Sequence, residues 1–121
     1  MHNTIRIAPP NSLLFVSDVD GGIPPEITRR GRLWTTSSCI AVGCLAFMVG
    51  VTEVSLGLAR VVDPGGVPAF DGVLETPHRA VMVSTAEGEK VLDAGVSGKS
   101  TRVRIWTNHP TEPDRVIVGL G

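Results

Sequence analysis

Short apolar or alternating segments recur along this chain and are separated by clusters of Gly, Pro and Asp. Alternation of apolar and polar residues indicates a strand with one buried face, and a short apolar run between turn residues is typical of a strand buried on both faces. The predicted strands are residues 4–8, 13–16, 39–47, 51–58, 70–75, 80–85, a return strand that begins at Val91, 101–107 and 115–120.

The fold class follows from these strands and from the turns between them. Residues 18–25 (DVDGGIPP) and 63–68 (DPGGVP) are dense in turn formers. No window keeps helical periodicity for three turns without a Gly or Pro, although residues 40–49 could also be a buried helix. The pattern therefore predicts one all-β domain over residues 1–121, an antiparallel β-sandwich or barrel of about eight short strands with little or no helix.

An uncharged stretch at residues 33–52 has the length of a membrane span. Its dense apolar part covers only residues 39–51, and the stretch also contains Thr, Ser and Gly, so we interpret it as core. The first residues do not show the pattern of a signal peptide. These observations predict a cytoplasmic protein that does not associate with membranes.

Two cysteines, Cys39 and Cys44, lie in this apolar run at an odd spacing. On a strand, residues at odd spacing face opposite sides, so the two thiols should not pair with each other. We predict two buried thiols that behave as small apolar groups. Pairing between molecules or a reactive thiol is the alternative.

The overall charge excludes a general attraction to polyanions. The 121 residues include 11 basic and 12 acidic side chains, which gives a net charge of −1. Only 4% of the residues are aromatic, and Tyr is absent. Both features argue against nucleic acid as the partner, because such proteins need a positive field and aromatic faces for base stacking. We predict no cofactor.

One motif suggests phosphoryl chemistry. Residues 13–22 (LLFVSDVDGG) resemble the first motif of haloacid-dehalogenase-type phosphotransferases. The resemblance implies a parallel α/β domain in which Asp18 is the nucleophile and Asp20 an acid–base and metal-site residue. Gly22 stands where that family usually has Thr or Val, and no alternation of strands and helices follows. Asp and Gly are also typical of any tight turn, so we favour a turn and keep a loose cation site at Asp18 and Asp20 as a weak alternative.

The other polar motifs predict structure rather than chemistry. His2, His78 and His109 are far apart and are expected in exposed loops or at the terminus, with a zinc site assembled in space as the minor alternative. The sequence SGKS at residues 97–100 ends like a phosphate-binding loop, but Asp93 stands where the first glycine should be. We predict a hairpin turn there.

Arginine beside tryptophan is the best candidate for a binding site. The first cluster contains Arg29, Arg30, Arg32 and Trp34, and the second contains Arg102, Arg104 and Trp106 on one face of a strand. Both residue types are enriched at binding hot spots. A face with two arginines should be exposed, so Trp106 is predicted to be partly exposed; the alternative is an ordinary solvated face on which an arginine stem or a loop covers Trp106.

These observations favour a non-enzymatic binding module. The predicted binding residues are Arg102, Arg104 and Trp106, together with Arg32 and Trp34, and the predicted partner is a protein or another acidic ligand. The order of short strands, which ends in TRVRIW at residues 101–106, a Pro-rich loop and a final apolar strand, is similar to that of small bacterial β-sandwich proteins of the nuclease-inhibitor or immunity type, and this resemblance implies an inhibitor- or immunity-like role. The alternatives are a small metal-dependent hydrolase or phosphotransferase that uses Asp18 and Asp20, and a structural homo-oligomer with residues 39–51 at its interface.

Overall fold

Two five-stranded β-sheets pack face to face. The computed structural model describes residues 2–28 and 31–121. In chain order the strands are β1 (His2–Ile7), β2 (Leu13–Asp18), β3 (Leu33–Thr35), β4 (Cys39–Gly43), β5 (Thr52–Leu58), β6 (Phe70–Glu75), β7 (Ala80–Thr85), β8 (Lys90–Gly95), β9 (Ser100–Thr107) and β10 (Arg115–Leu120). Helix within these residues is limited to α1 (Ala59–Val62) and a 3-10 turn at Pro10–Ser12. The all-β prediction with little helix is confirmed.

The topology differs from the prediction in two respects, and it decides between the predicted alternatives of sandwich and barrel. The first sheet has the order β1-β5-β10-β9-β6 and the second β3-β4-β2-β7-β8, so the described residues form ten strands instead of about eight. Each sheet keeps two edges, which makes the fold a sandwich and not a closed barrel. The prediction of a wholly antiparallel sheet is wrong for β5 and β10, which pair in parallel. Because most of the second half of the chain lies between these two strands, no hairpin dictates their direction.

Alternating strand residues form the core between the sheets. Val103 and Ile105 of β9 are fully buried there, as are Leu14 and Val16 of β2. The remaining core residues are Ile40, Val42, Cys44, Val54, Leu56, Leu74, Val81, Val83, Val116, Val118 and Leu120. β-Branched residues predominate in this core, as expected on pleated surfaces that pack against each other.

The apolar run at residues 39–47 is only partly a strand. β4 ends at Gly43. The Cys44 N–H still donates to the carbonyl of Ser12 in the register of β2 and β4, but the Leu45 N–H donates to the carbonyl of Pro113, outside this sheet. The prediction that residues 39–47 form one central strand is therefore wrong beyond Gly43. The helix alternative for residues 40–49 is also wrong, and no helix in the described ranges is long and apolar enough to cross a membrane.

A third layer covers part of the outer face of the first sheet. α1 follows β5 directly and lies over that face beside β10. The close approach requires Gly119, because a Cβ atom there would lie 3.0 Å from Cα of Ala59 and 2.9 Å from Cζ3 of Trp106. This layer matters for the candidate site below.

We predict that Gly119→Ala destabilises the fold by about 1–3 kcal/mol, because the added methyl group overpacks a site bounded by backbone and an aromatic ring. Urea unfolding followed by circular dichroism measures the change. Gly95→Ala is the matched control, since a Cβ at Gly95, also in a strand, meets no atom within 4 Å. Equal stability of the two variants would contradict the close packing of α1.

Both thiols are buried, as predicted, and Cys44 belongs to the core. Burial raises the pKa of Cys39 to about 11 and that of Cys44 to about 12. At pH 8 only about one Cys39 in a thousand is then a thiolate, which is the reactive form. We predict slow labelling of native protein by Ellman's reagent and rapid labelling in 6 M guanidinium chloride. Fast modification of one thiol in the native state would contradict this.

Candidate functional site

β9 carries its two arginines and its tryptophan on the outer face of the first sheet, as the sequence pattern predicts. Val103 and Ile105 point into the core, so Arg102, Arg104 and Trp106 point outward. We call Arg102, Arg104 and the neighbouring Asp71 the arginine surface.

Asp71 of β6 holds Arg102 in a fixed orientation. Nε and Nη2 of Arg102 donate to the two carboxylate oxygens of Asp71 at 2.9 and 2.7 Å. These hydrogen bonds hold the pKa of the Asp71 carboxyl below its ordinary value of 3.8. Both side chains are about half exposed, so this bidentate pair is a surface feature that solvent screens.

Arg104 is held in a different way and is less completely satisfied. Its Nη2 donates to the backbone carbonyl of Gly121 at 2.9 Å, and its guanidinium carbon lies 5.8 Å from the centre of the Trp106 ring. Its Nε is buried without a hydrogen-bond partner in the described part of the chain. Arg104 is opposite Asp71 in the register of β6 and β9 and makes a smaller electrostatic contribution to the low pKa of Asp71, whose hydrogen bonds come from Arg102. The arginine surface therefore has a surplus of one positive charge.

Trp106 is buried, and the prediction that it is partly exposed is wrong. Only 5% of it is accessible, because the loop after α1 closes over the ring and its Nε1–H donates to the carbonyl of Gly66 at 3.3 Å. One edge of the ring still contributes to a shallow cavity of about 160 Å³ beside Pro64, Ile117 and Arg115. Trp106 thus lies beneath both Arg104 and the loop after α1. This arrangement agrees with the alternative prediction, in which a loop covers Trp106.

The first Arg–Trp cluster lies elsewhere. Trp34 is opposite Ala41 in the register of β3 and β4, while Ile40 and Val42 face the core, so Trp34 lies on the outer face of the second sheet. Its Nε1–H donates to the hydroxyl of Thr28, and Arg32 is exposed nearby. The structure therefore separates Arg32 and Trp34 from the arginine surface. Arg29 and Arg30 lie outside the described residues.

Asp18 is a buried hydrogen-bond acceptor at the end of β2. It is 1% exposed, and its carboxylate accepts the backbone N–H groups of Asp20 and His78, both at 2.9 Å. Nδ1 of His78 lies 2.7 Å from its Oδ2. Burial raises the pKa of Asp18, but the hydrogen bonds from Asp20 and His78 outweigh this, so the pKa lies below its ordinary value. Asp18 thus fastens the turn before β7 to β2.

The phosphotransferase resemblance does not extend to the fold. The family implies a parallel α/β domain, whereas this chain forms two β-sheets with one four-residue helix in the described ranges. Asp20 is exposed and its carboxylate makes no hydrogen bond to the described residues, while Asp18 is saturated with donors. Among residues 2–28 and 31–121, no group of three or more His, Cys, Asp or Glu side chains is placed to hold a metal ion.

The structure also shows where the other predicted loop histidines and the SGKS turn lie. His109 is in an exposed loop, where its ring accepts the N–H of Glu112. His78 is also exposed, although it contacts Asp18, and the His2 side chain is outside the described set. The SGKS sequence lies in the turn that joins β8 to β9, as predicted. The sequence analysis missed Asp71, because only the register of β6 against β9 brings it next to Arg102 and Arg104.

Comparison with known proteins adds one fold relative. No protein-family model matches this chain, and neither does any curated protein sequence. Among solved structures, the crystal structure of ComJ from Bacillus subtilis, an inhibitor of the DNA-degrading activity of NucA, superposes with a TM-score of 0.70. The fold is similar to that of ComJ. The match covers 98% of this chain and 93% of ComJ at 8% sequence identity, so it establishes a common fold.

We predict that Asp18→Asn destabilises the protein by about 1–3 kcal/mol at pH 7, because a buried carboxylate that accepts three hydrogen bonds is lost. The lowered pKa means that this share of stability is present above pH 3.8 and is lost as the pH falls through the folded-state pKa. The difference between wild type and variant should therefore shrink below pH 4 in urea unfolding curves. Asp20→Asn is the control and should change stability by less than about 0.5 kcal/mol.

Proposed function

We propose that this protein is a non-enzymatic, inhibitor-type binding module that recognises an acidic surface on another protein. The arginine surface carries the proposal, because it contains two outward guanidinium groups and one carboxylate, that of Asp71, which is paired with Arg102. A carboxylate from a partner would complete the charge balance.

The geometry favours recognition because both guanidinium groups are already oriented. Asp71 fixes Arg102, and the ring of Trp106 together with the carbonyl of Gly121 fixes Arg104. Binding therefore costs less side-chain conformational entropy than it would with two freely rotating arginines. Arg104 uses one of its five N–H donors within the described residues, so donors remain for a planar carboxylate.

The fold supports an inhibitor-type role. ComJ, which has a similar fold, is named for blocking the DNA-degrading activity of a nuclease. A protein with this fold can thus inhibit the activity of another protein. We therefore expect the partner to be an enzyme whose activity falls when this chain binds, and DNA degradation is the first activity to assay.

We predict that reversing both charges, Arg102→Glu with Arg104→Glu, raises the Kd for the partner about 10- to 100-fold, mainly through slower association. The partner is first isolated by affinity capture with the wild-type chain from cells of its source. It is then purified, its Kd is measured by calorimetry at several salt concentrations, and its activity is assayed with and without the chain.

Lys90→Glu is the matched control, because Lys90 and Arg102 are about equally exposed and each forms a surface ion pair with an aspartate. This variant on β8 of the second sheet should leave the Kd unchanged. Binding should also weaken as salt increases. An unchanged Kd in the double variant, with folding intact, would refute the proposal.

A further inference from the structure

A second surface is apolar and projects from one end of the sandwich. We call residues 46–51 the apolar tip. Phe47, Met48, Val49 and Val51 are 49%, 82%, 72% and 49% exposed. Exposure of three or more consecutive apolar residues to water is unfavourable unless these residues serve a function. An exposed apolar patch of this kind marks an interaction site.

The local turn chemistry gives the same indication. The N–H of Val49 donates to the carbonyl of Ala46 at 2.9 Å, which closes a turn with Phe47 and Met48 at its two central positions. Gly, Asn, Asp and Pro are preferred at such positions because they suit the turn backbone and solvent. The turn itself requires neither Phe47 nor Met48. Their side chains must be explained by something that they contact outside the chain.

The base of the apolar tip is anchored, so the tip is presented in a defined place. The Leu45 N–H donates to the carbonyl of Pro113, and the Leu45 side chain packs beneath Gly50. Cys44, just before it, is part of the core. A rigid base is what a docking loop needs, because ordering a mobile loop on binding would reduce affinity.

A polar region connects the apolar tip with the arginine surface. Val51 borders a small cavity whose other lining residues are Arg6, Glu53, Asn108, Asp114 and Arg115. Asn108 and Arg115 also border the cavity next to Trp106, on which Arg104 lies. One partner can therefore contact the tip and the arginine surface at the same time.

We infer that the apolar tip inserts into an apolar pocket of the same protein that the arginine surface recognises, with Phe47 and Met48 as anchors. The identity of that partner rests on the proposed function. A convex apolar turn needs a concave apolar site, and the arginine surface, beyond the polar region, requires carboxylates at a second place on the partner. The partner is thus a protein with an apolar pocket and a separate acidic patch.

The first test measures affinity for the protein captured by the wild-type chain. Phe47→Ser with Met48→Ser should raise the Kd about 30-fold or more, chiefly by faster dissociation, as expected for hot-spot residues. Ile23→Ser is the matched control, because Ile23 is 71% exposed in the loop after β2, whereas the apolar tip follows the end of β4 that pairs with the start of β2. Met48 and Ile23 are largely exposed and Phe47 is half exposed, so all variants should remain folded, which their unfolding midpoints check.

The second test identifies what lies against the tip. A photo-crosslinking phenylalanine analogue replaces Phe47, or Ile23 in the control, and the cells are irradiated. The expected result is one adduct with the captured protein from position 47 and none from position 23. An adduct of two copies of this chain, an adduct with lipid, or no protein adduct would overturn the inference.

The two proposals fail in different ways. If reversal of Arg102 and Arg104 abolishes binding while the tip variant binds within twofold of wild type, the tip inference is wrong and the proposed function stands. If position 47 crosslinks to a protein whose affinity survives the arginine reversal, the proposed role of the arginine surface is wrong. In that case the inference of a shared partner falls as well.

Discussion

Burial of Val103 and Ile105 between the two sheets determines in which direction the remaining side chains of β9 point. Successive strand residues face opposite sides, so these two core positions send Arg102, Arg104 and Trp106 outward. A shift of one residue would bury both guanidinium groups, and the desolvation penalty is several kcal/mol for each charge. The register is therefore strongly specified. The arginine surface exists because the core could not tolerate the opposite arrangement.

Features that depend on local alternation could be predicted from the sequence. β6 and β7 have the predicted limits, β5 and β9 differ by a single residue, and the outward direction of Arg102 and Arg104 is correct. The hairpin turn at Gly88 and the SGKS turn also lie where turn residues predict them. In each case the signal lies within about ten consecutive residues, which is the range over which strand period and turn chemistry act.

Features set by distant segments could not be predicted. Trp106 is buried because Gly119, thirteen residues later, lets α1 approach and because the loop at Gly66 closes over the ring. The burial of Asp18 depends on His78, which reaches it from the turn before β7. The apolar run after Gly43 has the composition of a core strand, but from Leu45, whose N–H donates to the carbonyl of Pro113, it no longer follows the sheet. Hydrophobicity alone does not distinguish a covered strand from a projecting loop.

The similarity to ComJ at 8% identity has a physical basis that also limits what the fold says about function. A sandwich core needs apolar residues of suitable volume at inward positions, and many combinations satisfy that need. Outward positions are almost unconstrained by folding, so partners are selected there. Arg104 and the exposed Phe47–Met48 turn do not belong to the core between the sheets. Residues that folding does not need are those for which an external contact is the better explanation.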